Sequence, residues 1–158
     1  MRHVIPLAAL LALAACGPKF IKDTKVEDTP QNREIAALVE RYRVALEQRD
    51  VASLKELVSR TYFSNAGTTA DPSDDYGYEQ LEQKVLPELR ESVKQVQYSI
   101  SLRKIEVNKE KDHATAEFEY YYKVSYVDGG KDRWIAKSDF DRLDFAKEDG
   151  VWRIVAGL

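Results

Sequence analysis

The sequence is 158 residues long and 32% charged, with a formal net charge of −3 and one cysteine. That length suits a single domain around one core. Mild acidity, with no basic stripe carrying interleaved aromatics, lacks the electrostatic footprint of a nucleic-acid partner, and a lone cysteine excludes an internal disulfide.

Met1, Arg2 and His3 precede an apolar run over residues 4–15, which Leu13-Ala14-Ala15-Cys16 closes. A short basic start, an apolar core and small residues before a cut are the layout of a secretory signal peptide. The run is too short to span a bilayer, which takes about 20 apolar residues, and Pro6 and Pro18 bracket it poorly for a packed helix. Ending on Leu-Ala-Ala-Cys, the segment resembles the lipobox of bacterial lipoproteins. The resemblance implies cleavage before Cys16, thioether lipidation of its sulfur, and acylation of its new amino group by a fatty acid such as palmitate. Several acyl chains, at about 0.8 kcal/mol per buried methylene, hold a protein to a membrane without spanning it. Gly17 in place of the aspartate that retains lipoproteins at the inner membrane implies the outer membrane, facing the periplasm. The expected layout is a signal peptide over 1–15, lipidated Cys16 and a flexible tether over 16–30, and a folded domain over 31–158.

Residues 17–31 mix charges with few apolar positions and no steady period, which predicts a solvated tether reaching about 20 Å if flexible. Thr29-Pro30 starts a helix, with threonine as N-cap and proline at the first helical position. Ile35, Leu38, Val39, Tyr42, Ala45 and Leu46 then share one face of a helix ending near Arg49. Asp50 caps a shorter second helix that buries Val51, Leu54, Leu57 and Val58. Residues 61–76 have the chemistry of a loop. Tyr78, Leu81, Val85, Leu89 and Val93 mark a third helix, which Pro87 kinks or restarts.

After Val96 the period switches from 3.6 to 2. Tyr98, Ile100 and Leu102 alternate, then Ile105 and Val107 resume one residue out of phase, predicting a bulge near Arg103-Lys104. The longest strand runs from His113 to Val127, with Ala114, Ala116, Phe118, Tyr120, Tyr122 and Val124 on its core face and Glu117, Glu119, Tyr121 and Lys123 on its wet face. Asp128-Gly129-Gly130 and Glu148-Asp149-Gly150 are hairpin turns with glycine where positive φ is needed. Trp134, Ala136 and Phe140 are out of phase with Leu143 and Phe145, which predicts a second bulge near Asp139. Trp134 and Trp152 are both expected in the core. The fold class is α+β: three N-terminal helices packed on a curved antiparallel sheet of about four strands.

Two stretches, residues 40–50 (Glu-Arg-Tyr-Arg-Val-Ala-Leu-Glu-Gln-Arg-Asp) and the terminal Asp149-Gly150-Val151-Trp152-Arg153-Ile154 hairpin, resemble the nuclear transport factor 2-like (NTF2-like) superfamily, which includes steroid delta-isomerases and SnoaL-like cyclases. The match covers about residues 31–158 and implies a cone-shaped fold that hosts isomerases, cyclases, dehydratases, binding modules and assembly domains. The resemblance to the isomerases places their oxyanion-hole tyrosine on Tyr42 and their protonated acid on Asp141. It puts Ala66, beside Asn65, where the catalytic aspartate would stand, and neither can abstract a proton at neutral pH. Asp71, Asp74 or Asp75 could serve only if their loop folds inward.

Tyr42, Phe118, Tyr120, Tyr122 and Asp141 are the candidate pocket residues, and Tyr42 with Asp141 the only catalytic candidates. After processing, His113 is the one histidine and no thiol is left, so no zinc site is expected. The aspartates of 71–75 lack calcium-loop spacing, and no Ser-His-Asp set, phosphate loop or dinucleotide fingerprint occurs, so no cofactor is expected. The favoured reading is a non-catalytic domain, lipid-anchored in the envelope, binding a small apolar ligand or an envelope protein. The alternatives are an isomerase- or cyclase-like enzyme using Tyr42 and Asp141, or a subunit of an envelope assembly. The polar outer sheet face, with Glu117, Glu119 and Lys123, points to a monomer or weak dimer.

Overall fold

The computed structural model describes residues 17–65 and 72–158; Cys16 with its lipobox, and the loop positions Ala66, Gly67 and Asp71, lie outside the described residues. Helix α1 spans Pro30–Gln48, and the Thr29 side chain caps it by accepting a hydrogen bond from the Asn32 N–H at 3.1 Å. Its inward stripe of Ile35, Val39, Tyr42 and Ala45 is buried. Arg49, in the left-handed region at φ 54°, ends it. Helix α2, Val51–Leu57, is capped by Asp50, whose carboxylate accepts from the Ser53 N–H, and it buries Leu54 and Leu57. The third helical run breaks into α3, Tyr78–Gln80, a π stretch over Leu81–Val85, and α4, Leu86–Glu91, with Pro87 in the opening turn of α4. Proline cannot donate to the turn before it, so the run restarts where the sequence places it. A two-residue ladder, β1 (Phe63–Ser64) with β2 (Tyr76–Gly77), closes the loop between α2 and α3.

Four antiparallel strands follow in the order β3-β4-β5-β6: Val93–Val107, His113–Asp128, Lys131–Glu148 and Val151–Ala156. The register of β3 on β4 shifts between Leu102 and Lys104, which is the first expected bulge. Gly129 and Gly130 turn between β4 and β5, and Asp149 with Gly150 between β5 and β6, all at positive φ. One face of the sheet packs on the helices around Ile35, Leu54, Leu81, Phe118, Leu143, Phe145 and Ile154, all nearly inaccessible. Trp152 is buried with them, and its indole N–H donates to Glu34 at 3.0 Å.

The second expected bulge does not occur. The ladder of β4 on β5 runs without interruption from His113↔Ala146 to Asp128↔Lys131. Trp134, Ala136 and Phe140 therefore fall on the outer face, opposite Ser125, Lys123 and Glu119. Trp134 is 48% exposed and Phe140 70% exposed, so Trp134 is a surface residue and not a core one. The Lys123 ammonium lies 4.7 Å from the Trp134 ring centroid, an exposed cation–π contact that adds about 0.5–1 kcal/mol. With exposed Tyr121 and Val127 beside them, these rings make the outer face less polar than its charges alone suggest.

Residues 20–28, within the stretch expected to be a tether, have local structure. Phe20 bridges Glu27, the Ile21 N–H donates to the Val26 carbonyl at 2.9 Å, and Val26 is buried. Among the described residues no helix is long and apolar enough to cross a membrane.

Gly157 sits at φ +95°, and a Cβ there would lie 1.9 Å from the Arg142 carbonyl oxygen. A side chain fits neither the dihedral nor the space. Gly157→Ala is expected to cost more than about 1 kcal/mol, read as a lowered thermal midpoint; an unchanged midpoint would mean that the segment after β6 is not held against β5.

Candidate functional site

Strand alternation and the β4–β5 register place Phe118 opposite Asp141, Tyr120 opposite Asp139 and Tyr122 opposite Lys137 on the cone-facing side of the sheet. The same alternation on β3 sets Tyr98 opposite Tyr122 and Ile100 opposite Tyr120. Three rings form a ladder. Tyr98 and Tyr120 stack at 5.9 Å between centroids with 12° between planes, and Tyr120 and Tyr122 at 6.0 Å and 7°. Tyr42, buried on α1, meets Tyr98 edge-on at 6.2 Å and 82°. Such aromatic pairs contribute about 0.5–1.5 kcal/mol each beyond their burial.

A groove of about 960 Å³ opens beside this ladder. Phe118 forms part of its floor, Tyr120 and Tyr76 stand at its sides, and Arg103, Lys137, Asp139 and Asp141 add charge around it. Of the five expected pocket residues, Phe118, Tyr120 and Asp141 line the groove. Tyr42 lies beneath Tyr98 in the core, and Tyr122 extends the ladder beyond Tyr120. Tyr98 was not anticipated as a site residue, although its phase on β3 with Ile100 and Leu102 already put it on the cone face. The end of the chain helps to shape the groove: the Tyr76 and Tyr62 hydroxyls donate to the Leu158 carbonyl at 2.5 and 3.2 Å, and the Leu158 N–H donates to the Tyr62 oxygen at 2.9 Å.

The electrostatics separate the two aspartates that share the groove. Asp139 is held below the ordinary aspartate value, first by its hydrogen bond from Lys137 and then by one from the Phe140 N–H. Asp141 is raised, because desolvation of its carboxyl outweighs the hydrogen bond that it accepts from the Arg142 N–H at 2.7 Å. Burial pushes the Tyr42 hydroxyl well above its usual range, and the neighbouring Tyr98 and Asp141 add to the shift. Burial is thus the first cause of the upward shift at Tyr42, Tyr98 and Asp141 alike. Among the described residues no group of three or more His, Cys, Asp or Glu side chains is placed to hold a metal ion.

A pH dependence follows from the raised Asp141. The native state is not penalised while the carboxyl is protonated in both folded and unfolded chains, and stability is lost as pH rises through the folded-state value. Asp141→Asn keeps an acceptor for the Arg142 N–H and removes the desolvated charge. Its thermal midpoint is expected to exceed that of the natural chain at pH 7 and to equal it near pH 3. A variant less stable at pH 7 would show that the carboxylate is favoured where it sits.

No protein-family model matches the sequence, and no curated protein resembles it. Solved structures do match its fold. An NTF2-like superfamily protein from Salmonella enterica superposes with a TM-score of 0.64 at 18% identity, over 80% of this chain and 87% of that one. A conserved protein from Planctomyces limnophilus gives 0.63 at 17% identity, over 80% and 91%. A candidate scytalone dehydratase from Novosphingobium aromaticivorans gives 0.61 at 16% identity, over 80% of each chain. The helices ahead of a curved four-stranded antiparallel sheet, the open groove and these superpositions together show that the chain has the NTF2-like cone fold.

Proposed function

We propose that this is a lipid-anchored envelope protein whose domain binds a small, largely apolar ligand with a flat body in the groove, without transforming it. The observation that carries the reading is the stacked Tyr98-Tyr120-Tyr122 ladder beside an open groove. Tyr120 is the ladder ring that lines the groove; held between Tyr98 and Tyr122, it offers aromatic contact area at low entropic cost, and ligand sites combine apolar walls with a few placed polar groups. Lys137 and Arg103 supply cationic partners for a polar or anionic end, and Asp141 a neutral donor when protonated. The anchor at Cys16 rests on the lipobox resemblance and would keep the groove within a short tether's reach of the outer membrane.

A second reading, an isomerase- or cyclase-like enzyme, draws on the raised Asp141 and its link to Tyr42, a pattern suited to stabilising an oxyanion. It needs a base as well. The neighbouring carboxylate, Asp139, is tied to Lys137 and made a weaker base by it, and neither Tyr42 nor Tyr98 lines the groove. Binding therefore accounts for more of the geometry.

The binding reading is tested with 8-anilinonaphthalene-1-sulfonate, a flat apolar probe bearing one sulfonate. The natural chain is expected to bind it saturably at one site. Tyr120→Ala is expected to weaken binding about tenfold, the loss of about 1.4 kcal/mol; because Tyr120 stacks on both Tyr98 and Tyr122, the same change is expected to cost about 1–3 kcal/mol of stability, so binding is compared where both proteins are folded. Equal binding by both proteins would remove the ladder from the account.

A further inference from the structure

We infer that the open edge of β5 is an interaction surface for a second copy of this chain, pairing antiparallel about a two-fold axis at Lys137. Strand β6 pairs with β5 only from Asp144 to Glu148, so among the described residues nothing is laddered on the outer side of residues 131–143. Residues 131–142 are all exposed, an exposure unlike that of β4, which is at least partly buried over most of its length. Such an edge is a template for another strand. The backbone direction is fixed by hydrogen bonds: the Phe140 and Arg142 N–H groups turn away from β4 and donate to the side chains of Asp139 and Asp141. Even-numbered residues therefore present their N–H and C=O groups to the open side.

The sequence of that edge is self-complementary about Lys137. In an antiparallel pair with position 137 opposite itself, Trp134 faces Phe140 of the second copy, and the symmetric pair repeats it. Arg133 faces Asp141, and Asp132 faces Arg142. Both ion pairs and the aromatic pair occur twice, against one Lys137–Lys137 contact, whose ammonium groups are each held by their own Asp139. The even residues Trp134, Ala136, Ser138 and Phe140 meet even residues, so outward-facing N–H and C=O groups meet each other, as an antiparallel ladder requires. The pairing also covers the two most exposed rings of this strand, Trp134 and Phe140. Gly157 lies against the Arg142 carbonyl, so the ladder closes there, with Trp134 to Phe140 as its hydrogen-bonded extent, about 24 Å. Asp132, Arg133 and Arg142 already have exposed same-chain partners in Lys94, Asp128 and Asp144. Exposed pairs of that kind contribute little, so exchanging them costs little. An isologous interface of this kind is closed and stops at two copies. The pairing itself needs no ligand, although Lys137, Phe140, Asp141 and Arg142 also line the groove and a second copy paired here would border its mouth.

The full chain carrying Lys137→Cys tests this in intact cells under a mild oxidant. Directly opposed residues of a non-hydrogen-bonded pair have Cα atoms about 4.5 Å apart, within disulfide range. A reducible dimer is expected, at a yield on the order of tenfold above that of Tyr121→Cys, which reports packing through the outer face. A charge exchange gives an independent readout in the same cells: Asp132→Arg added to the Lys137→Cys chain lowers the dimer yield, and Arg142→Asp added to both restores it. No dimer at Lys137→Cys, a greater yield at Tyr121→Cys, or failure of the double exchange to restore what Asp132→Arg removes would each overturn the pairing.

Discussion

Phe118→Ala is expected to lower the stability of the domain by about 3–5 kcal/mol. Phe118 is 1% exposed and lies in the middle of β4, flanked across the sheet by Leu102 and Asp141. Its ring fills the junction between the helical layer and the groove floor, so truncation removes apolar burial and leaves a void that the surrounding β4–β5 ladder cannot collapse into. A typical domain is stable by only 5–15 kcal/mol, and such a loss is a large share of it. The measurement is chemical denaturation at 25 °C. A loss below about 1 kcal/mol, the range of surface substitutions, would mean that the groove floor is not part of the core.

Cys16→Ser is expected to move the protein from the membrane fraction to the soluble one and to abolish labelling by fatty acid. A serine oxygen cannot form the thioether, so all of the acyl chains are lost together, and with them about 0.8 kcal/mol for every methylene they bury. The domain itself should be unaffected, with the same unfolding midpoint, because position 16 precedes every element of the core. Retention of the variant on the membrane with an intact fold would overturn the anchor.

The helices were legible because each carries its own punctuation. Thr29-Pro30 and Asp50 state where α1 and α2 begin, Pro87 where the third run restarts, and the apolar stripes state what is buried. The glycine turns and the Arg103-Lys104 bulge were legible for the same reason: a local signal coincides with the break in phase. The misreading at Trp134 has a physical cause. Aromatic residues out of phase with the core suggest a bulge if apolar side chains must point inward, and that premise fails on a strand whose far edge is open. Exposure there depends on how much of β5 the short β6 covers, a long-range property with no local signature. The buried turn at Val26 is similar, since a charged segment with one valine carries no period. Within the site, the cone-facing phase of Phe118, Tyr120 and Tyr122 could be read from alternation, and Asp141 from its face. The Tyr42–Tyr98 link could not, because it joins α1 to β3 across more than fifty residues, and only the packing angle of the helix decides it.

The groove beside the tyrosine ladder is proposed to hold a small molecule in the protein's own environment. Native mass spectrometry of the natural protein released gently from membranes tests it most directly. A retained mass of a few hundred daltons at one per chain, displaced by denaturation and absent from Tyr120→Ala, is the predicted result. A natural chain that carries only its own covalent mass, alongside an intact fold, would contradict it.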